Sequence, residues 1–191
     1  MTGPERARLF VALELPAEAR GALAAWARER RASPGMVRLR LVEPESLHVT
    51  LCFLGSRPMG EVDEIAAGSQ AAVSALPAPE LTVGEALWLP PRRPRVLAVA
   101  LADDDEARLT AVQSALADAL AAGGFHEPET RPFRAHVTVA RVPRDAHVRP
   151  QELPAPEPMG FTGGRVTLFA SRLGKGPARY EALATVTLSS G

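Results

Sequence analysis

Two short segments of the sequence repeat one pattern and limit the folds open to this chain. His48-Val49-Thr50-Leu51 and His136-Val137-Thr138-Val139 both read histidine, apolar residue, threonine, apolar residue. Each lies inside an apolar run of strand character, and the two histidines are 88 residues apart in a chain of 191. Because one tetrapeptide recurs in the same context half a chain apart, we expect two related lobes whose matching strands face each other.

The remaining sequence favours an α+β fold with largely antiparallel sheet. Apolar or alternating runs predict strands at 7–15, 36–42, 47–54, 81–89, 95–101, 133–142, 165–173 and 180–188. Runs of helix formers predict helices at 17–31, 60–76 and 106–122. Since strands outnumber helices and some are separated only by short turns, antiparallel sheet is favoured over a doubly wound parallel sheet. No long linker divides the chain.

The two-residue period of a strand assigns the side chains of the first motif to two faces. His48 and Thr50 point to one face, and Val49 points to the other. The same alternation places Cys52 in the cleft with His48, and Phe53 on the core side. The second motif divides in the same way. Two such strands opposed across a groove bring two imidazoles and two hydroxyls into one cleft.

Two imidazoles and two hydroxyls suit phosphoryl transfer. A neutral imidazole takes a proton from water, and a protonated one gives a proton to a leaving alkoxide; a pKa near 6.5 allows both forms near neutral pH. Threonine hydroxyls donate hydrogen bonds to non-bridging phosphate oxygens. The motifs hold no covalent nucleophile, so water attacks directly. The residues alone leave open which histidine is the acid and which is the base.

A structural zinc site is the main chemical alternative. A closed site needs four ligands, and no cysteine or acidic residue shares the spacing of the motifs. We therefore expect no metal and no cofactor. The other two histidines, His126 and His147, lie in polar or proline-rich segments and are predicted to be surface residues.

The amino-acid composition limits which binding partners and which cellular compartment we expect for this protein. The chain has 22 basic and 22 acidic side chains, whereas proteins that hold duplex nucleic acid by its backbone usually carry a basic surplus. Its one cysteine, Cys52, cannot form an intramolecular disulfide, so no oxidising compartment is required. No apolar run approaches 20 residues. These features predict a cytoplasmic protein that binds neither duplex DNA nor membrane.

The sequence resembles the two-histidine phosphoesterases, and within them the LigT/ThpR-type RNA 2′,3′-cyclic phosphodiesterases. The likeness rests on Arg8 to Leu13 (RLFVAL), Leu47 to Gly55 (LHVTLCFLG), Pro91 to Leu97 (PRRPRVL), Arg131 to Arg141 (RPFRAHVTVAR), and Ser171-Arg172-Leu173 with Tyr180. It covers nearly the whole chain. The sequence departs from the family at Ala135, where proline is frequent, and at Leu41, where an aromatic residue is frequent.

The resemblance implies a bilobal fold: residues 1–191 form a single domain of two pseudo-symmetric lobes, with helices outside and a central cleft between them. It implies an enzyme that opens 2′,3′-cyclic phosphates at RNA 3′ ends or on nucleosides, leaving a 2′-phosphate. The sequence does not fix the oligomeric state, and we expect a monomer. By the same resemblance, His48 is the proton donor to the departing 3′-oxygen, and His136 is the proton acceptor that activates water. Thr50 and Thr138 bind the substrate phosphate.

Several alternatives stay open at this point. The same two histidines would also serve a ligase that joins a cyclic phosphate to a 5′-hydroxyl through a 2′–5′ bond. A non-catalytic module that binds RNA ends or nucleotides is a third option. Strict alternation puts Arg141 on the core side, away from substrate, unless a bulge turns it. Phe10 either forms the floor of the cleft or simply packs.

Overall fold

A computed structural model of the chain describes residues 5–172 and 179–190. Its strands are β1 (Arg6–Glu14), β2 (Arg40–Leu41), β3 (His48–Pro58), β4 (Glu80–Leu89), β5 (Val96–Ala102), β6 (His136–Arg141), β7 (Gly160–Thr162), β8 (Arg165–Arg172) and β9 (Arg179–Thr187). Its α-helices are α1 (Ala17–Arg31), α2 (Val62–Val73) and α3 (Arg108–Ala122). Short 3₁₀ turns, Pro44–Ser46 and Met59–Glu61, precede β3 and α2.

The strands form one sheet in the order β7-β4-β5-β6-β3-β1-β8-β9, with β2 beside β6. Every pairing between these strands is antiparallel. The sheet divides into two halves that each begin at the centre with a motif strand, β3-β1-β8-β9 on one side and β6-β5-β4-β7 on the other. The predicted α+β fold with largely antiparallel sheet is confirmed.

The halves meet where the two motif strands touch. β3 and β6 pair at one position, Val49 opposite Val137, which are equivalent residues of the two motifs. Because side chains alternate along a strand, the histidine and threonine that flank each valine lie on the opposite face from it. The two copies of the motif therefore lie side by side at the centre of one sheet, and the prediction that they face each other across a groove is wrong, because the two strands pair directly.

Helices cover the apolar side of the sheet through regularly spaced side chains. α3 buries Leu109, Val112, Leu116 and Leu120, at intervals of three and four residues, and packs against α2 and β3. Each buried leucine contributes about 1.5–3 kcal/mol relative to an exposed one. α1 has the predicted bounds and packs near β6. None of the helices in the described ranges combines the length and apolar character needed to cross a membrane.

Two aspartates hold the start of α3. The Asp103 carboxylate accepts hydrogen bonds from the backbone N–H groups of Leu109 (2.9 Å) and Thr110 (2.8 Å). Asp104 Oδ1 accepts one from the N–H of Arg108 (3.1 Å). These bonds satisfy N–H groups that have no partner within a helix.

The strand predicted at 36–42 is mostly wrong, because only Arg40–Leu41 pairs with the sheet. The backbone turns instead: Met36 N–H donates to the Ser33 carbonyl and Leu39 N–H donates to the Met36 carbonyl. Met36 and Leu39 are buried at a spacing of three, which an alternating strand does not produce. β7 was not predicted, and Leu173, the last residue of a predicted strand, lies outside the described residues.

Candidate active site

A β-bulge interrupts β3 directly after the first motif. Thr50 pairs with Ala12 of β1 and Cys52 pairs with Val11, so Leu51 between them is an extra residue without a partner in β1. One extra residue reverses the alternation beyond it, so Leu51 and Cys52 are both buried and Phe53 turns outward, 46% exposed. The expectation that Cys52 faces the cleft and Phe53 the core is wrong on both counts. Burial raises the pKa of the Cys52 thiol to about 12, so it stays protonated within the core.

β6 carries a bulge at the equivalent position. Thr138 pairs with Ala98 of β5 and Ala140 pairs with Leu97, so Val139 is the extra residue. Val139 and Ala140 are both buried, and Arg141 emerges exposed on the cleft side. Strict alternation put Arg141 on the core side, and that prediction is wrong because the bulge shifts the register.

The paired bulges give each motif a third residue in the cleft. Phe53 and Arg141 each stand five positions after their histidine, on the same side as the histidine and threonine. The sequence holds a signal for this: Leu51-Cys52 and Val139-Ala140 are consecutive apolar pairs where alternation alone calls for one polar position.

A small cavity at the junction of β3 and β6 brings the predicted site residues together. Its lining consists of Val42, Ser46, His48, Thr50, His136, Thr138, Arg141 and Tyr180. All four predicted residues therefore surround one space, with a guanidinium and a phenol added to the two imidazoles and two hydroxyls.

Backbone carbonyls fix both imidazoles in the same way. His48 Nδ1 lies 2.7 Å from the carbonyl oxygen of Ser46, and His136 Nδ1 lies 2.8 Å from that of Arg134. A carbonyl oxygen only accepts, so Nδ1 carries the hydrogen in each ring. Nε2 is then the nitrogen left for proton transfer in both histidines.

Three aromatic rings surround His48 on the cleft side of the first half-sheet. Phe10 lies 4.9 Å from the His48 ring between centroids, Tyr180 lies 5.3 Å away edge-on, and Phe169 lies 6.3 Å away. We call Phe10, Phe169 and Tyr180 the aromatic cluster. Phe10 is only 5% exposed and does not line the cavity, so of its two possible roles it takes the packing one, supporting the imidazole.

The environment of His48 disfavours its charged form. The pKa of His48 is lowered from 6.5 to about 4: burial is the largest cause and the charges of Arg141 and His136 add to it, against the raising effect of the Ser46 carbonyl. The ring is therefore neutral at pH 7 in the free protein. An anion in the cavity acts in the opposite direction, because a nearby negative charge favours the protonated imidazole.

Two larger hollows open on either side of the cavity. The first, which we call the Phe53 hollow, includes Thr50, Phe53, Arg131, Arg134 and His136. The guanidinium of Arg8 lies over the Phe53 ring, 5.3 Å from its centroid.

The second hollow, which we call the Arg165 hollow, includes Glu14, Arg165, Phe169, Arg179 and Tyr180. It borders His48, and its cations are partly balanced within it, since Arg165 Nε lies 3.7 Å from a Glu14 carboxylate oxygen.

The remaining histidines differ from each other. His147 is exposed, as predicted, whereas the surface prediction for His126 is wrong. His126 is 9% exposed, lines the Phe53 hollow, and its Nδ1 lies 3.3 Å from the carbonyl oxygen of Phe53. Across the described residues, no three side chains of the His, Cys, Asp and Glu types gather closely enough to hold a metal ion.

Comparison with known proteins decides the family. A family model described as the 2′-5′ RNA ligase superfamily matches residues 15–175. The chain belongs to this superfamily. The RNA 2′,3′-cyclic phosphodiesterase of Escherichia coli strain K12 is 30% identical over an alignment 190 residues long, and the match covers 94% of this chain and 95% of that protein.

Other relatives agree with this membership. A Geobacillus stearothermophilus protein with the same name is 29% identical and covers 96% of this chain, although the chain spans only 58% of that protein. The crystal structure of E. coli LigT complexed with 3′-AMP matches 97% of this chain and 100% of its own, with a TM-score of 0.80 and 26% identity. The resemblance to LigT-type two-histidine phosphoesterases is confirmed.

Proposed function

We propose that this chain is an RNA 2′,3′-cyclic phosphodiesterase that hydrolyses a terminal 2′,3′-cyclic phosphate to a 2′-phosphate by two-histidine acid–base catalysis. The observation that carries the proposal is the convergence of both histidines and both threonines on one small cavity, with each Nδ1 held by a backbone carbonyl. The names of the E. coli and G. stearothermophilus relatives support the same reaction.

His136 and His48 share the proton movements. Nε2 of His136 accepts a proton from water as the water oxygen forms its bond to phosphorus. The bond from phosphorus to the 3′-oxygen breaks, and the proton on Nε2 of His48 passes to that oxygen. Each transfer contributes roughly 100- to 10,000-fold to the rate. The reaction requires no metal and no cofactor in this scheme.

The donor role of His48 depends on the substrate charge. Because its pKa is about 4 in the free protein, few molecules carry the required proton at pH 7. The phosphodiester anion in the cavity offsets the positive charge of Arg141 and raises the pKa of His48 when substrate binds. His48 therefore carries the proton that it donates mainly when substrate is bound.

Three side chains hold the phosphate. Thr50 and Thr138 donate hydroxyl hydrogen bonds to its non-bridging oxygens, and the Arg141 guanidinium presents a planar fork of N–H donors suited to phosphate. Donors that are already in position stabilise the charge that grows on these oxygens in the transition state.

The nucleoside lies in the Phe53 hollow. Phe53 is one of two large apolar side chains that are strongly exposed among the described residues, and unstacked bases pack on such rings. Arg131 and Arg134 are exposed at the same hollow and favour a ribose-phosphate chain. RNA 3′ ends and nucleoside 2′,3′-cyclic phosphates are therefore the proposed substrates, and duplex DNA is not.

The chain works as a single domain of two lobes, residues 1–191, and as a monomer in the cytoplasm. A continuous sheet whose halves meet at the small cavity supports the single domain. Its single cysteine, Cys52, is free and buried, so the fold requires no oxidising compartment.

A second candidate function is 2′–5′ RNA ligation, which the superfamily description favours. In that reaction a 5′-hydroxyl replaces water as the attacking group and the same histidines move the protons. The outcome then depends on which nucleophile reaches the cavity faster.

One assay separates these functions. The protein is incubated in chelator with an RNA that ends in a 2′,3′-cyclic phosphate, with and without a second RNA that has a 5′-hydroxyl end. We expect 2′-phosphate ends in both mixtures, and loss of activity in His48→Ala and in His136→Ala. Ligated product as the main species would support the ligase instead, and full activity in His136→Ala would refute two-histidine catalysis.

A further inference from the structure

Tyr180 lines the cavity, and the proposed reaction assigns it no role. It is the only tyrosine in the sequence and lies near the start of β9, at the outer edge of the first half-sheet. Its side chain nevertheless reaches the space shared by the two histidines, because the cleft face of the sheet is concave enough to bring its ring within 5.3 Å of His48.

Packing alone does not account for a tyrosine here. The Tyr180 ring meets both Phe10 (5.0 Å) and His48 (5.3 Å) edge-on, and a phenylalanine would make the same contacts. The aromatic cluster also contains Phe169, which borders the Arg165 hollow and does not line the cavity. Tyr180 is thus the member of the cluster that stands at the polar cavity, and it is the member that carries a hydroxyl.

We propose that Tyr180 is a catalytic residue whose hydroxyl donates a hydrogen bond to a non-bridging oxygen of the substrate phosphate. The inference rests on the proposed phosphodiesterase function. A phenol O–H is a hydrogen-bond donor, and the neighbouring donors Thr50, Thr138 and Arg141 leave room for one more on a phosphate that has two such oxygens, each with several acceptor positions. No proton is transferred, so the roles of the two histidines are unchanged.

Tyr180→Phe is the decisive variant because it keeps the ring and removes only the hydroxyl. We expect it to lower kcat/KM for adenosine 2′,3′-cyclic phosphate by about 100-fold, the typical effect of removing one positioned donor. Phe169→Leu is the matched control: it alters the aromatic cluster beside His48 without touching a cavity hydroxyl, and a smaller loss is expected. A Tyr180→Phe variant within threefold of the unaltered protein would overturn the proposal.

Sulfur substitution tests which atom the hydroxyl contacts. The two diastereomers of the cyclic phosphorothioate each replace one non-bridging oxygen by sulfur, a poor hydrogen-bond acceptor. We expect Tyr180→Phe to lose much less activity on one diastereomer than on the other, because the unaltered protein has already lost that hydrogen bond there. Equal losses on both diastereomers would overturn the contact, because a purely structural role of Tyr180 predicts that result.

A single tyrosine also permits a direct measurement. The full chain made with 3-fluorotyrosine gives one protein fluorine resonance, which we expect to shift as adenosine 2′-monophosphate saturates the site. Adenosine without phosphate is the control and should leave it nearly unmoved. A resonance that responds equally to both would overturn the proposal. Turnover of adenosine 2′,3′-cyclic phosphate by the protein with ordinary tyrosine shows separately whether the phosphodiesterase function holds.

Discussion

Protonation of His48 is the most quantitative consequence of the site. Its pKa of about 4, against an ordinary value of 6.5, corresponds to about 3 kcal/mol of free energy opposing the charged ring, at 1.36 kcal/mol per pKa unit. Burial is the main cause, and Arg141 and His136 add to it. A phosphate anion beside Arg141 removes part of this cost, so we expect the pKa to rise when a nucleoside 2′-phosphate binds.

The same difference makes folding stability depend on pH. Between pH 4 and 6.5 the unfolded chain binds a proton at His48 that the folded chain does not, so stability rises with pH over this interval. Above 6.5 neither state binds it and the contribution is constant. On falling from pH 6.5 to 4 the protein should lose up to about 3 kcal/mol of unfolding free energy through this group.

NMR measurement of the histidine resonances across pH gives the pKa of each ring. The signal that is absent in His48→Gln belongs to His48. Urea unfolding at pH 6.5 and pH 4.5 measures the linked stability, and the same variant should show a weaker pH dependence. A His48 ring that titrates near 6.5 in the free protein, or whose pKa stays near 4 with adenosine 2′-monophosphate bound, would refute this prediction.

Three further predictions concern single side chains. Arg141→Gln should lower kcat/KM by at least about 100-fold by removing a positioned phosphate donor, and steady-state kinetics with unchanged circular dichroism checks this; activity close to that of the unaltered protein would contradict it. Phe53→Ala should raise KM for adenosine 2′,3′-cyclic phosphate by about 5- to 100-fold, from a stacking energy of about 1–3 kcal/mol per base. Val37→Ala, at the other large apolar residue that is strongly exposed in the described ranges (70%), is its control and should not change KM. Asp103→Ala should cost about 1–2 kcal/mol of unfolding free energy without affecting KM, as measured by urea denaturation, since it removes the capping carboxylate of α3.

Local regularity made much of the fold predictable. The bounds of α1 followed from a run of helix formers between Pro16 and a basic last turn. The four central site residues followed from a repeated tetrapeptide, because a strand fixes which side chains share a face. A strand keeps this alternation only while it is regular, and in both motifs the predicted faces are correct for all four residues.

The errors arose where distant parts of the chain decide local geometry. Leu51 and Val139 become bulges because of how β3 pairs with β1 and β6 pairs with β5, and no single segment contains that register. The positions of Phe53, Arg141 and Cys52 all depend on those two bulges. Tyr180 enters the site from a strand at the far side of the half-sheet, so only the curvature of the assembled sheet reveals it.

The assignment of acid and base is the central claim, and one substrate tests it most directly. In an adenosine 2′,3′-cyclic phosphate with sulfur in place of the 3′-oxygen, the leaving thiolate needs no proton donor. Hydrolysis is measured in chelator for His48→Ala and His136→Ala, on both the oxygen and the sulfur substrate. We predict that His48→Ala, inactive on the oxygen substrate, regains activity on the sulfur substrate, while His136→Ala stays inactive on both. Recovery in His136→Ala instead of His48→Ala would contradict the assignment and reverse the two roles.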